Sequence, residues 1–366
     1  MIGDIIKIAI LAVSLTVMSN SLVNFMLYLD LNKRVYNHMP GACSAVGGIE
    51  HGAEDMALLS SGLILVTTGL RFYNTSELSD AKGSVYVYNA TEKTAWEARL
   101  ESKTLKQGAK TFNPQGLSVV EEKDAIYVFI VNHRPKADTV EVFQFKDMPQ
   151  DKLLVHLRTV KSPLFTNLID VLAISKDKFY VTNYHYFEDE RMQSLELYLG
   201  LKLGNIVYFN GKNASHVQQW IKTPLGLALD KSKKYLYVSS MAGEQILVYN
   251  RKEDGNLTFH SAISLQTSPH HIFVDPYTAD LYVGCHPIKS RMFRHESAPK
   301  SIFSPSQVLR IHGRPSKGSW SLSQVFANDG ATLSASSSAV KLKDHLIIGS
   351  IHDKLMACDL DAPSLL

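Results

Sequence analysis

The sequence predicts an all-β protein, a six-bladed β-propeller carried on one N-terminal transmembrane helix. Three observations predict it. A short apolar strand followed by small or polar residues recurs six times along the chain. The first forty residues hold a long uncharged run, and two of the three cysteines lie at opposite ends of the remainder. With 366 residues and 45% apolar content there is enough chain for a sizeable core. The net charge of +3 is small, and lysine and arginine are scattered without basic clusters or interleaved aromatics, which sets nucleic-acid binding aside.

The N-terminal element comes first. From Ile8 to Leu29 runs "IAILAVSLTVMSNSLVNFMLYL", free of charge. As a helix at ~1.5 Å per residue it reaches about 33 Å, enough to span a bilayer. Residues 1–34 therefore read as a signal anchor and 35–366 as the propeller. A cleaved signal peptide is the competing reading, with Ile8 to Val17 as its apolar core and Ser19 and Ser21 near a cleavage site. The anchor is preferred because the apolar run continues to Leu29. Flanking charge does not orient it, since Lys7 lies on one side and Lys33 and Arg34 on the other. Four sequons, at Asn74, Asn89, Asn213 and Asn256, favour a lumenal or extracellular C-terminal part. The expected location is accordingly the endoplasmic reticulum membrane or the plasma membrane, crossed once.

The repeat follows. Its strands are "LILVTT" (63–68), "IYVFIVN" (126–132), "FYVTN" (179–183), "YLYVSS" (235–240), "LYVGC" (281–285) and "LIIGS" (346–350). Each is succeeded by a second alternating strand and most are preceded by a third, as in "LGLALDKSKKYLYV". A period of this length with several strands per unit is the signature of a propeller. A propeller must join its last blade to its first. A Cys43–Cys358 disulfide would staple the chain ends, closing a loop worth roughly 5 kcal/mol in the chain-entropy model. Cys285, inside "LYVGC", then reads as a buried strand thiol.

In propellers the loops entering the inner strands converge on the central channel, where sites are built. His270 and His271 hold that position in the fifth unit, and Glu54, Asp55, Asn113 to Gly116, Leu168 to Asp170 and Leu225 to Leu227 are their counterparts. The stretch "DERMQSLELYLGLKLG" (189–204) is the one clear helical candidate in the body. Met192, Leu195, Tyr198, Leu199 and Leu203 would share an apolar face, resting on the propeller, on a bilayer or on a partner protein.

Six segments, "GGIEHGAEDM", "TFNPQGLSVV", "IYVFIVNHRPKADTVEVFQF", "TNYHYFEDERMQSLELYLGL", "VDPYTADLYVGCHP" and "VLRIHG", together with the flanking cysteines, resemble the paraoxonase or arylesterase family of six-bladed propellers from about Cys43 to Leu360. The resemblance implies hydrolysis of lactones and aryl esters by a catalytic calcium in the channel, a second structural calcium, and a histidine pair that moves protons. It assigns the structural ion to Asp55, the carbonyl of Leu117 and Asp170, all retained. Of the catalytic calcium's ligands only Glu54 is kept. The others fall on Ile169, Leu225, His270 and His271, two hydrocarbons and two imidazoles that calcium accepts poorly. The expected base is Gln115, which takes no proton at neutral pH, although its partner survives as His133. The family's Asp-His pair has become Tyr184 and His185. No catalytic set is complete, so Gln115, His133 and His185 read as remnants.

Two imidazoles with Glu54 also make a zinc-like set. Adjacent strand residues, however, point to opposite faces. Two adjacent ligands would thus need an irregular backbone, and the preferred reading is that one histidine lines the channel and the other is packed or hydrogen-bonded. The combination of anchor and lost ligands resembles the membrane-anchored, paraoxonase-like chaperones that help degenerin or epithelial sodium channels assemble. The resemblance thus implies a lumenal accessory protein with one structural calcium and a membrane-protein client. The alternative is an arylesterase or lactonase that works with calcium or an altered metal.

Overall fold

The computed structural model describes residues 2–69, 83–106, 111–134 and 137–360. Within them six antiparallel sheets form the blades of a propeller. Blade 1 is built from Met56–Leu58, Leu63–Thr68, Ser84–Asn89 and Thr94–Glu97. Blade 2 holds Pro114–Glu122, Ala125–Arg134, Ala137–Met148 and Asp151–Val160, with Arg99–Glu101 added in parallel at its edge. Blade 3 runs Leu168–Ala173, Phe179–Asn183, Gly204–Phe209 and Ala214–Ile221. Blade 4 runs Pro224–Leu229, Tyr235–Ser240, Gln245–Arg251 and Leu257–Ser264, and blade 5 Ser268–Val274, Leu281–His286, Ser306–Arg314 and Ser319–Asn328. Blade 6 holds Ser336–Leu342, His345–Ser350 and Met356–Asp359, and takes its outer strand, Cys43–Ala45, from the beginning of the chain. The six recurring apolar segments of the sequence are the second strands of the six blades.

This exchange closes the ring. Cys43 lies opposite Cys358 in the register of the pairing strands, and the two are disulfide-bonded across a sequence separation of 315. The third cysteine, Cys285, is buried and free, and burial pushes its thiol well above the ordinary range, so it is an inert strand residue.

The core is divided among the seams between blades. Leu65 and Val87 of blade 1 meet Val128 and Phe143 of blade 2. Phe129 and Val131 then meet Phe179 and Val181, and Tyr180 and Ile206 meet Leu236 and Val238. Tyr237 and Val248 meet Val283 and Ile311, Val308 and Phe326 meet Leu346 and Ile348, and Val340 and Ile347 meet Ile64 and Val66. Alternation along each strand supplies one apolar set to each neighbouring seam, which is why the inner strands read as near-continuous hydrophobic runs.

The first helix spans Ile2–Tyr28 and is exposed along nearly all its length. Its segment Gly3–Tyr28 is long and apolar enough to cross a membrane. Leu29, the expected last residue of the span, lies beyond the helix and is buried against the propeller. The junction is a polar clamp. Tyr28 Oη donates to the carbonyl of Leu197 at 2.6 Å, and Ser290 N to the carbonyl of Leu29 at 3.2 Å. The buried Lys289 ammonium pairs with Asp30 at 2.9 Å and with Glu244. Lys33 joins from the other side, 2.6 Å from Asp30 and 3.2 Å from Glu244. Burial alone would raise the Glu244 carboxyl, but the Lys289 and Lys33 ammoniums hold it below the usual range.

The helical stretch of the body is Glu190–Leu199. Asp189 caps its first turn, accepting from Arg191 N and Met192 N, and Gly200 ends it in the left-handed conformation. Its packed face differs from the expected apolar one. Gln193, Glu196 and Leu197 are buried, whereas Met192, Leu195 and Leu199 point outward and nearby Tyr186 is 63% exposed. The polar groups go inward because they hold backbone that no strand satisfies: Gln193 Nε2 donates to the carbonyl of Phe187 at 2.9 Å, and Glu196 accepts from Tyr186 N at 3.1 Å.

Candidate functional site

Five of the six inner strands carry a register shift at the same place. It falls between Pro114 and Leu117, Leu168 and Asp170, Pro224 and Leu227, Pro269 and Ile272, and Ser336 and Ala339. The residues inside these bulges include Gln115, Ile169, Leu225, His270 and His271, so the irregularity aims the predicted site residues into the channel. Neighbouring bulges touch backbone to backbone. A Cβ on Gly116 would lie 2.6 Å from Asp170 Cα, and one on Gly226 would lie 2.7 Å from His271 Cα, so only glycine fits there. In blade 1 Glu54 and Asp55 occupy the equivalent turn, held by Glu54 N to Thr67 O and Thr67 N to Asp55 O, each 3.0 Å.

Two carboxylates stitch successive blades together. Asp55 Oδ2 accepts from Leu117 N and Asp170 Oδ2 from Leu227 N, both at 2.7 Å. His271 stands among them. Its Nε2 is 3.1 and 3.0 Å from the two oxygens of Glu54, and its Nδ1 is 3.5 Å from both Asp55 Oδ1 and Asp170 Oδ2. Burial alone would make this imidazole neutral, but the three carboxylates hold its proton well above the usual histidine range. Burial pushes Asp55 up to about 8, with His271 opposing and Asp170 and Glu54 adding to the rise. His270, 3.7 Å from Glu54 through Nε2, is kept neutral by burial and by its cationic neighbour. Both imidazoles turn toward Glu54: the irregular backbone that two adjacent ligands require is present as the bulge between Pro269 and Ile272, which breaks the alternation between them.

The remaining predicted residues divide into two places. His133 Nδ1 pairs with Asp138 Oδ1 at 2.8 Å and its Nε2 contacts Gln115 Oε1, while Gln115 Nε2 lies 3.4 Å from Glu54. Burial works against a charge on His133, yet the Asp138 carboxylate raises its pKa. His185 is not part of this chain. Its Nδ1 faces Glu196 of the body helix at 3.5 Å, which ties it to that helix. Ile169 and Leu225 belong to one apolar cluster with Leu29, Tyr184, Leu197, Met241 and Phe293, so the end of the N-terminal segment joins the same buried group as both hydrocarbons. Sequence reading had no signal for this contact, since Leu29 and its partners are far apart in the chain. The ring of His286 meets that of His270 edge-on at 5.3 Å.

The arylesterase family model matches residues 34–360. The chain belongs to the arylesterase family. Among curated arylesterase relatives, serum paraoxonase/arylesterase 2 of Gallus gallus is 31% identical over 98% of this chain and 100% of its own length. Serum paraoxonase/arylesterase 1 of Homo sapiens is 31% identical over the same shares. Among solved structures, a luciferin-regenerating enzyme has a TM-score of 0.54 at 8% identity, covering 87% of this chain and 94% of its own. A putative gluconolactonase has 0.53 at 9%, covering 90% and 98%. These two share the fold alone.

Calcium is the ion the resemblance implies, and the two candidate positions meet it differently. Asp55 and Asp170 offer hard carboxylate oxygens, and with His271 their ligand atoms all lie within 4.8 Å of one another. The buried side chains of Glu54, Asp55 and Asp170 converge there on one imidazole, and carboxylate oxygens are the donors that calcium takes, so a cation suits this pair. Leu117, assigned a carbonyl ligand, meets Asp55 through its amide. Around Glu54 the fit fails, because two of the assigned positions are packed hydrocarbon and two are imidazole. Asn213 and Asn256 are exposed just before strands, Asn89 is the half-buried last residue of Ser84–Asn89, and Asn74 lies outside the described residues.

Proposed function

We propose that this arylesterase-family chain is a membrane-anchored, lumenal accessory protein that assists assembly of a membrane-protein client of the degenerin or epithelial sodium channel kind. Its ester-cleaving calcium site has been dismantled, and one structural calcium is held by Asp55, Leu117 and Asp170. One observation carries the reading. Leu29, at the end of the membrane helix, shares one buried apolar cluster with Ile169 and Leu225, two positions where the resembled family's catalytic calcium needs oxygen. Apolar contact with the anchor has replaced ion coordination, and a propeller fixed to its helix suits a scaffold beside another membrane protein. The exposed Met192, Leu195, Leu199 and Tyr186 lie next to the same junction, since Tyr28 bonds to Leu197, and supply an apolar surface for lipid or client.

A second reading, a metal-dependent arylesterase or lactonase, is favoured by the retained Glu54 and the His133–Asp138 pair. Two assays separate the two. Hydrolysis of phenyl acetate and of aliphatic lactones by the purified full chain in detergent with calcium should stay at the level of Glu54→Gln. Co-expression with a degenerin-type channel should raise the channel's surface density, and Leu29→Asp should abolish the gain. Calcium-dependent turnover that Glu54→Gln removes would overturn the accessory reading and establish the enzyme.

A further inference from the structure

The residues that fit calcium worst around Glu54 form a consistent set of another kind. A tetrahedral zinc ion with bonds of about 2.0–2.1 Å has ligand-to-ligand edges of about 3.3–3.4 Å. Glu54 Oε1 stands 3.1 Å from His271 Nε2 and 3.7 Å from His270 Nε2, close to such edges on either side. All three ligand atoms lie within 4.8 Å of one another and all three residues are buried. The bulge at His270 and His271 aims two adjacent imidazoles at one carboxylate, which a regular strand would not do.

The surroundings match as well. A ligating histidine ordinarily turns its other ring nitrogen to a carboxylate, which fixes its orientation. His271 Nδ1 faces Asp55 and Asp170 at 3.5 Å each. His286 stands edge-on to His270, and both of its buried ring nitrogens lack hydrogen-bond partners, as does His270 Nδ1. A buried polar atom left unpaired is costly, so the two His286 nitrogens point to a ligand beside His270. Imidazole donors select zinc over calcium.

We propose that Glu54, His270 and His271 bind one zinc ion in the channel, tying blade 1 to blade 5, with His286 beside it as a further imidazole. The full chain, purified in detergent, stripped with chelator and dialysed against zinc, should retain one equivalent by elemental mass spectrometry. Loaded with Co²⁺, it should show the intense visible absorption of a tetrahedral ion. Glu54→Gln and His271→Asn should each weaken zinc binding at least tenfold, and His216→Asn, at an exposed strand position, should leave it unchanged. Zinc retention that survives both channel substitutions would overturn the site, as would the absence of retained zinc. Should the channel variants fail to fold, the cobalt spectrum of the unaltered chain decides, and a weak octahedral-type band refutes the proposal. The ester assay is independent: zinc bound without hydrolysis leaves both proposals standing, and zinc-dependent hydrolysis overturns the accessory reading alone.

Discussion

Asp30→Ala should loosen the propeller from its membrane helix, and the clamp sets the size of the effect. Lys289 is 1% exposed, and its ammonium is neutralised by Asp30 at 2.9 Å and by the partly exposed Glu244. Removing one partner of a buried pair costs about 3–5 kcal/mol, because the other charge is left desolvated. Glu244 remains, so the loss should sit at the lower end, about 3 kcal/mol. For a chain of 366 residues unfolding with ~2.1 cal/mol/K per residue, that lowers the melting temperature by about 4 °C. Asp30→Leu combined with Lys289→Met removes both charges and should recover most of the loss. Thermal melting of the full chain in detergent, with limited proteolysis between residues 31 and 38, reads both effects. If the single substitution leaves melting and cleavage unchanged, or if the double variant costs the sum of the singles, the clamp is not coupled as described.

Opening the Cys43–Cys358 bond by Cys358→Ser should cost up to about 5 kcal/mol through loop entropy, against about 1–3 kcal/mol for Cys285→Ser, and equal losses in denaturant titration would contradict the closure role. Gly226→Ala should destabilise by about 1–3 kcal/mol or more, since its Cβ meets backbone atoms of His270 and His271, and a neutral melting curve would refute that contact. Because the Glu244 carboxyl is held low, the clamp's contribution is present above the ordinary glutamate pKa of about 4.3 and is lost as pH falls through the lowered value. Acid should therefore expose the 31–38 segment to protease, and Glu244→Gln should reduce the pH dependence of cleavage, leaving the part that Asp30 contributes. Carbonate washing should leave the chain with membranes and glycosidase should lower its apparent mass; release into the soluble fraction would mean that the helix is cleaved.

Much of this protein is legible in one dimension. Strand alternation and its repetition determined six blades, because each strand must present one apolar set to each neighbouring seam. The distant cysteines announced a ring that needed closing, and the loops before the inner strands located the channel. The motifs also placed Glu54, Asp55, Gln115, Asp170 and the two histidines in it. The tertiary structure decided what those residues meet. Turning His270 and His271 onto one carboxylate requires an irregular backbone, and only the folded chain shows the bulge that supplies it, since side-chain pattern carries no trace of it. Ile169 and Leu225 read as lost ligands; only the folded chain brings Leu29 into the same buried cluster, from a segment separated from them by two blades or more. The helix at Glu190–Leu199 reversed the expected faces, because unsatisfied loop backbone beneath it drew Gln193 and Glu196 inward and left its apolar residues outside. Period and composition are local properties, whereas the partner of a buried charge or a channel side chain is set by the path of the whole chain.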